Sequence, residues 1–225
     1  MAGIDDGLPP PVPHNELTGA FLLSLRAQGV RHTGVLRAME RVPRASFAPR
    51  RFADLARADL AVPLPCGQTM TAPSAVAQML VALDPQPGQG ALEIGTGSGY
   101  VAALLADMGL NVVTMERYRS LALAANERFL AVGLGGVDLR HADGLAPVQP
   151  ETGNLDRIIL NGVVETVPEA LLARLSPFGR LVAALRIDGM ARLVTVTRNG
   201  EGHVDHRLGG PLRLPPLSAG IAMAL

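Results

Sequence analysis

The residue pattern with the clearest chemical meaning is a glycine-rich segment that begins with an acidic residue. Residues 93–100 read EIGTGSGY and lie between a short apolar run and a segment of helical character. A strand, a glycine loop and a helix in this order form a cradle for a nucleotide-containing cofactor. Glycine lets the backbone approach the ligand, and the first turn of the helix offers unpaired N–H groups. We therefore predict that the cofactor lies beside Glu93, Gly95, Thr96, Gly97 and Ser98.

Two further acidic residues indicate which cofactor the cradle holds. Glu116 follows Gly95 by about 20 positions, the spacing at which a carboxylate accepts ribose hydroxyls. Asp143 and Gly144 follow the third predicted strand, where an aspartate can meet an adenine amino group, although Asp-Gly is also a common turn dipeptide. Tyr100 takes the place of the third glycine of the dinucleotide pattern. The sequence therefore favours S-adenosylmethionine over NAD.

Strand and helix signals alternate from residue 91 onward, as they do in a doubly wound sheet. Apolar spacing predicts helices at residues 16–28, 33–41, 52–60, 73–83, 100–108, 120–132 and 168–175. Short apolar runs predict strands at residues 91–94, 111–115, 137–141, 157–160, 181–185, 193–197 and 204–213. The predicted fold class is α/β, a doubly wound and mostly parallel sheet of the Rossmann type with an N-terminal helical segment. We predict a mobile tail (1–14), a helical and substrate-loop segment (15–84) and a cofactor-binding core with C-terminal strands (85–225).

Composition limits the classes of function. The 225 residues carry no formal net charge, so nothing favours binding to nucleic acid or to an anionic membrane. No apolar run approaches the roughly 20 residues of a membrane span, and the histidines show no metal-ligand spacing. The single cysteine excludes an intramolecular disulfide framework and predicts a reducing compartment. We therefore expect a cytoplasmic protein without a metal, a nucleic-acid partner or a membrane anchor, and the oligomeric state stays open.

A polar loop before the cofactor segment has two interpretations. Residues 67–73 read GQTMTAP, and Pro73 occupies a typical first-turn position of the helix that follows. Composition alone describes a loop in which Thr71 caps that helix. A functional interpretation gives the polar side chains of the loop a role at the active site.

Several segments together resemble the protein-L-isoaspartate O-methyltransferase family. Residues 42–49, VPRASFAP, resemble the family's VPR-x-x-F-VP segment, and residues 64–73 resemble its GQTIS-x-P loop. Residues 92–100 match LEIGTGSGY, residues 113–117 resemble VYSVER, residues 143–144 match the GDG step, and residues 167–172 match VPEALL. The similarity runs from about residue 33 to residue 197. The glycine motif is common to many methyltransferases, whereas a GQT loop preceded by VPR is far more specific.

The resemblance implies an enzyme that methylates damaged proteins as a step in their repair. The methyl group of S-adenosylmethionine would pass to a carboxylate of L-isoaspartyl residues in peptides or proteins. The resemblance also implies catalytic roles for Gln68, Thr69 and Thr71, which would orient that carboxylate. Two features depart from the family: Thr71 replaces a serine, and residues 161–164 read NGVV where the family has TAAA.

These departures motivate two alternatives. One is a methyltransferase of the same fold with a different acceptor, and the other is a non-catalytic protein that binds S-adenosylmethionine. Activity on an isoaspartyl peptide would distinguish an isoaspartyl methyltransferase from one with a different acceptor. Intact cofactor binding without turnover would indicate the non-catalytic protein. A nucleic-acid amino-methyltransferase is disfavoured, because residues 161–162 lack the Pro-Pro-aromatic run that such enzymes place after the fourth strand. Tyr100 and the lack of a placed proton donor disfavour a nicotinamide dehydrogenase.

Overall fold

The structure is a computed structural model that describes residues 14–146 and 155–222. The predicted tail over residues 1–14 lies outside the described residues except for His14, where the first helix begins. The helices are α1 (His14–Ala27), α2 (Thr33–Arg41), α3 (Pro73–Leu83), α4 (Tyr100–Asp107), α5 (Arg119–Ala131) and α6 (Glu169–Ala173). The strands are β1 (Val62–Pro63), β2 (Thr69–Met70), β3 (Gly90–Ile94), β4 (Asn111–Glu116), β5 (Asp138–His141), β6 (Leu155–Val164), β7 (Leu175–Ile187), β8 (Met190–Arg198) and β9 (Val204–Pro211).

Within the described ranges, one sheet has the strand order β5-β4-β3-β6-β7-β8-β9. The strands from β5 to β7 run parallel, and β8 and β9 add antiparallel at one edge. The central strands β3 and β6 are almost wholly buried, as parallel strands covered on both faces must be. Chain order reverses between β3 and β6, which opens a crevice at the carboxyl ends of these strands. The predicted doubly wound, mostly parallel α/β fold is confirmed.

Alternate residues of the central strands face two separate apolar cores. Ala91 packs in the core that also contains buried residues of helices α2 to α5. Its neighbour Leu92 faces the other core, which contains Leu171 of α6. Arg41 at the end of α2 forms a bidentate ion pair with Asp107 of α4, at 2.6 and 3.0 Å. Helix α2 is thus joined to the C-terminal end of α4, and the N-terminal helices share the apolar core on this face of the sheet.

Residues 52–60 do not form the helix that the sequence predicts. A 3₁₀ helix spans Arg50–Leu55, and turns follow it. The guanidinium of Arg44 donates hydrogen bonds to the carbonyls of Ala56, at 2.8 Å, and Leu60, at 3.1 Å. An α-helix over this segment would use the Ala56 carbonyl for its own i→i+4 bond, so the contact with Arg44 replaces the helix.

The chain after β6 also differs from its prediction. Helix α6 is shorter than the predicted 168–175, and residues 175–179, predicted as a helix end and a turn, belong to β7. Leu155 pairs with Leu175, so β6 begins before the predicted residue 157 and draws this segment into the sheet. The turn signal survives as an irregularity, with φ of +62° at Phe178 and a register shift in the β6–β7 pairing. Pairing with a neighbouring strand here overrides the local preference.

Candidate active site

A cleft of about 810 Å³, partly open to solvent, lies at the carboxyl ends of β3, β4 and β6. Three segments contribute residues to its walls: the glycine loop (residues 95–99), the GQT loop (residues 64–71) and a C-terminal strap (residues 215–222). The predicted site residues that line it are Gln68, Thr69, Thr71, Gly95, Thr96, Gly97, Ser98, Glu116, Asp143 and Gly144. Glu93 is fully buried instead. The strand order thus brings residues that are far apart in the sequence to one edge of the sheet.

The glycine loop has a backbone conformation that other residues rarely adopt. The φ angles are +92° at Gly95 and +91° at Gly99, in the left-handed region that favours glycine. A Cβ on Gly99 would also lie 2.9 Å from a ring atom of Phe129 in α5. The loop therefore packs closely against its neighbours and presents its main chain to the cleft.

Glu116, at the end of β4, is fixed to the glycine loop. Its Oε2 accepts a hydrogen bond of 2.8 Å from the Gly97 amide, and its Oε1 accepts one of 3.0 Å from the Tyr118 amide. The residue is only 4% exposed. Because a carboxylate has about four acceptor positions, two of them remain to accept hydroxyl groups from a ligand in the cleft.

Glu93 belongs to a chain of buried hydroxyl groups behind the glycine loop. Thr114 donates from Oγ1 to Glu93 Oε2 at 2.7 Å, and the hydroxyls of Thr96 and Thr114 lie 2.6 Å apart. The Thr114 hydroxyl thus links Glu93 to Thr96 of the glycine loop. Burial raises the pKa of Glu93 to about 8, against the hydrogen bond from Thr114, which lowers it. The side chain is therefore mostly protonated at neutral pH, and its Oε1 has no hydrogen-bond partner among the described residues.

Asp143 and Gly144 form a turn, as the dipeptide predicts, and this turn faces the cleft. Asp143 Oδ1 accepts from the Leu145 amide at 3.0 Å, as in an Asx turn. A Cβ on Gly144 would lie 2.6 Å from Cγ2 of Ile94, the last residue of β3. Only glycine lets the turn pack this closely against the central strand.

The C-terminal strap crosses the carboxyl ends of the strands. Leu217 donates to the Val163 carbonyl, and Val163 donates to the Pro215 carbonyl, both at 2.8 Å. At the other end, Arg117 Nε donates to the Gly220 carbonyl at 2.8 Å. The strap is thereby joined to both β6 and the segment after β4, and it forms one wall of the cleft.

The GQT loop is a tight hairpin. The Leu64 amide donates to the Gln68 carbonyl at 2.8 Å, and Cys66 between them has φ of +60°. Gln68 Nε2 donates to the Cys66 carbonyl at 3.3 Å, which uses one of the two protons on that nitrogen. Thr71 Oγ1 donates to Asn161 Oδ1 at 3.1 Å. The loop thus reaches across the cleft to β6.

Arg44 holds the GQT loop from behind. It is 4% exposed, and in addition to Ala56 and Leu60 it donates to the carbonyl of Thr71 at 2.9 Å. Burial lowers its pKa to about 10, so the guanidinium stays charged at neutral pH. These carbonyl oxygens are neutral acceptors, so they bond the two terminal nitrogens without cancelling the charge, whereas Nε has no hydrogen-bond partner among the described residues. A buried positive charge therefore lies directly behind Thr71.

Comparison with known proteins identifies the group to which this chain belongs. Residues 16–219 match the family model of the protein-L-isoaspartate(D-aspartate) O-methyltransferases. The chain is a member of this family. The family and the methyltransferase class predicted from the sequence are confirmed.

Relatives from bacteria support the assignment over nearly the whole length. The protein-L-isoaspartate O-methyltransferase of Methylorubrum extorquens is 42% identical over 200 residues, covering 89% of this chain and 87% of the relative. The protein of the same name from a Bradyrhizobium species is 40% identical over 220 residues, covering 97% of this chain and all of the relative.

Solved structures of the family have the same fold. The beta-aspartate methyltransferase of Plasmodium falciparum, in complex with S-adenosyl-L-homocysteine, superposes with a TM-score of 0.79 at 21% identity. The comparison covers 88% of this chain and 97% of that one. A second protein-L-isoaspartate O-methyltransferase gives a TM-score of 0.78 at 21% identity, covering 91% of this chain and 67% of that one. At this identity the comparisons show the shared fold.

Two parts of the site were not assigned from the sequence. Arg44 lies in the VPR segment, which carried the resemblance but gave no role to the arginine. The strap has no local signal, because its contacts join residues as far apart as Arg117 and Gly220. No cluster of potential metal ligands occurs in residues 14–146 and 155–222, and no helix described there is long and apolar enough to cross a membrane.

Proposed function

We propose that this protein transfers the methyl group of S-adenosylmethionine to the carboxylate of L-isoaspartyl residues in damaged peptides and proteins. The observation that carries the proposal is that the glycine loop with Glu116 and the GQT loop line the same cleft. One loop has the features of a cofactor cradle, and the other carries the polar side chains that the family resemblance assigns to the acceptor.

The residues at the cleft fit S-adenosylmethionine. The cleft encloses about 810 Å³ of space, part of which is open to solvent. Glu116 keeps acceptor positions for the two ribose hydroxyls, and Asp143, at the next strand end of the same cleft, would accept from the adenine amino group. Gly95 and Gly97 line the same cleft beside Glu116, and their left-handed φ angles turn the main chain of the loop toward it. When bound, the cofactor supplies an electrophilic methyl group on a sulfonium.

The chemistry requires little proton transfer from the protein. An isoaspartyl carboxylate is ionised at pH 7, so its oxygen attacks the methyl group without a general base. In agreement, none of the described residues that line the cleft is a histidine. The protein's contribution is then to orient the acceptor in line with the methyl group and to exclude water.

The donors for the acceptor carboxylate lie in the GQT loop. Gln68 retains one amide proton beyond its bond to Cys66, and Thr69 contributes a hydroxyl beside it. The charge of Arg44 behind the loop favours an anionic acceptor, and protonated Glu93 adds no opposing negative charge. The product is a methyl ester, which then loses methanol without the enzyme to form a succinimide that reopens to aspartyl or isoaspartyl.

The test uses methyl-labelled S-adenosylmethionine with an isoaspartyl peptide. We expect base-labile label in the peptide, as a methyl ester requires, and loss of that label with the Glu116→Ala variant. Label only in other carboxylic acids would identify a methyltransferase with a different acceptor. Cofactor binding by calorimetry without transfer to any acceptor would identify a non-catalytic relative, and either result overturns the proposal.

The single cysteine, Cys66, is a free thiol whose Sγ lies 3.3 Å from Ser120 Oγ. We propose a cytoplasmic location on the basis of this cysteine usage. Fractionation of the source cells would test it, and recovery of the protein outside the cytoplasm would contradict it.

A further inference from the structure

Asn161 joins the two loops that the proposed function assigns to the two substrates. It lies in β6, where the β6–β7 pairing shifts register between Ile159 and Val163. Its Oδ1 accepts a hydrogen bond of 3.1 Å from Thr71 Oγ1, and its Nδ2 donates one of 3.2 Å to the Gly95 carbonyl. The amide thus forms a bridge from the GQT loop to the first residue of the glycine loop.

The direction of both hydrogen bonds follows from the chemistry of the partners. The carbonyl oxygen of Gly95 can only accept, so the amide nitrogen of Asn161 must face it. The amide oxygen of Asn161 then faces Thr71, and the Thr71 hydroxyl must donate. The reversed amide would place two acceptors against each other at Gly95 and leave a carbonyl without a donor, which is costly in a half-buried site.

The Thr71 hydroxyl therefore has no proton left for an acceptor carboxylate. A threonine hydroxyl carries one proton, and that proton is engaged by Asn161. What Thr71 Oγ1 can still offer is lone pairs, which repel a carboxylate oxygen. At its other end the residue is held by Arg44, which donates to its carbonyl at 2.9 Å. Thr71 is thus fixed from two sides.

The surroundings of Asn161 keep the bridge in place. The next residue, Gly162, lies against the strap: a Cβ there would be 2.6 Å from Leu217 Cγ and 2.9 Å from the Pro215 carbonyl. Gly95 is held in turn by its amide, which donates to the Met115 carbonyl at 2.9 Å. The bridge therefore connects parts of the site that are each packed against further structure.

We propose that Asn161 is a positioning residue that locks the GQT loop to the glycine loop through Thr71, and that Thr71 does not donate to the acceptor carboxylate. The donors for that carboxylate are then Gln68 and Thr69. This inference rests on the proposed function for its reaction. It changes the role expected for Thr71 from a contact with the acceptor to a link in the site.

A double-mutant cycle tests the bridge, with Thr71→Val, Asn161→Ala and the two combined. Each single variant should lower kcat for the isoaspartyl peptide by about tenfold, the cost of a lost hydrogen bond that also leaves a partner unsatisfied. The double variant should be no worse than the more affected single variant, because both changes break one bridge. KM for the peptide should change less than kcat.

Two variants serve as controls for the cycle. Thr71→Ser keeps the hydroxyl and should retain activity, and Asn126→Ala changes an exposed residue of α5 and should leave kcat and KM unchanged.

Independent effects would overturn the inference. If Thr71 donates to the acceptor carboxylate, Thr71→Val raises KM for the peptide in the Asn161→Ala background as much as in the wild type. The same cycle measured by urea unfolding keeps the test separate from the proposed function. A wild-type protein that fails to methylate isoaspartyl peptide contradicts the function, whereas a lack of coupling between the two positions in unfolding contradicts the bridge.

Discussion

The amide of Gly220 donates a hydrogen bond of 2.7 Å to Oδ2 of Asp143, which ties the C-terminal strap to the turn after β5. The other carboxylate oxygen of Asp143 accepts from Leu145. One side chain thus fixes both its own turn and a segment more than 70 positions away in the chain. Strap and turn face the same cleft, so Asp143 shapes the site besides being a candidate contact for adenine.

Replacing Asp143 by asparagine should be nearly as harmful as replacing it by alanine. Both oxygens accept from main-chain amides, so the NH₂ group of asparagine would face an N–H donor at one of them. We expect Asp143→Asn to weaken S-adenosylmethionine binding by about tenfold, measured by calorimetry. Asp188→Asn at an exposed turn is the control. An unchanged Kd for Asp143→Asn would show that the strap does not depend on this carboxylate.

Glu116→Gln should weaken cofactor binding more than it weakens the fold. The change places an NH₂ group against either the Gly97 or the Tyr118 amide and removes acceptor positions for the ribose. Hydrogen bonds to a charged group contribute about 1.5–3 kcal/mol, so Kd for S-adenosylmethionine should rise about 10- to 100-fold. Glu127→Gln, on the exposed face of α5, should leave Kd unchanged. Equal Kd values for Glu116→Gln and Glu127→Gln would show that Glu116 does not contact the cofactor.

Glu93 should make the stability of the protein fall as pH rises toward 8. Its pKa is raised by burial from 4.5 to about 8 in the folded state. Between these values the folded protein holds a proton that the unfolded chain releases, so the free energy of unfolding decreases by up to about 1.4 kcal/mol per pH unit. Above the folded-state pKa both states have lost the proton, and this contribution no longer changes.

Glu93→Gln isolates that dependence, because glutamine resembles the neutral acid. Urea unfolding of both proteins between pH 5 and 8 should show that the free energy of unfolding of the variant increases relative to that of the wild type as pH rises. The control variant Glu127→Gln should show the same pH dependence of the free energy of unfolding as the wild type. A constant difference between Glu93→Gln and the wild type across this range would mean that Glu93 is ionised in the folded protein.

Arg44→Met should loosen the GQT loop without removing any atom from the cleft wall. The change leaves the carbonyls of Ala56 and Thr71 without their buried donor, and each such group costs about 1–3 kcal/mol. We expect a lower free energy of unfolding and faster proteolysis within residues 56–71, with Arg37→Met on the exposed face of α2 as the control. Proteolysis at the wild-type rate would show that the loop is held by other contacts.

The parts of the fold that the sequence predicted are those with local causes. The glycine segment and the strand β3 before it lie in one stretch of chain, and their predicted positions agree with the structure. Helix α3 begins at Pro73, where the first-turn preference of proline predicted it. The family motifs are also short segments of the chain. Because a doubly wound sheet brings its strand ends to one edge, the residues that line the cleft could be predicted from these motifs.

The parts that differ depend on contacts between distant residues. The predicted helix at 52–60 is replaced because Arg44 takes its carbonyls, and β7 extends into a predicted turn because Leu155 pairs with Leu175. Neither partner can be read from the segment itself. The Thr71–Asn161 contact, between residues 90 positions apart, likewise exists only in the folded chain.

The most direct test of the account is a competition between an isoaspartyl peptide and its aspartyl twin for methyl-labelled S-adenosylmethionine and the wild-type protein. The two peptides differ only in which carboxylate is free, so charge and composition are matched. We predict base-labile label on the isoaspartyl peptide alone. Equal labelling of the two peptides, or no label on either while the cofactor binds, would contradict the account.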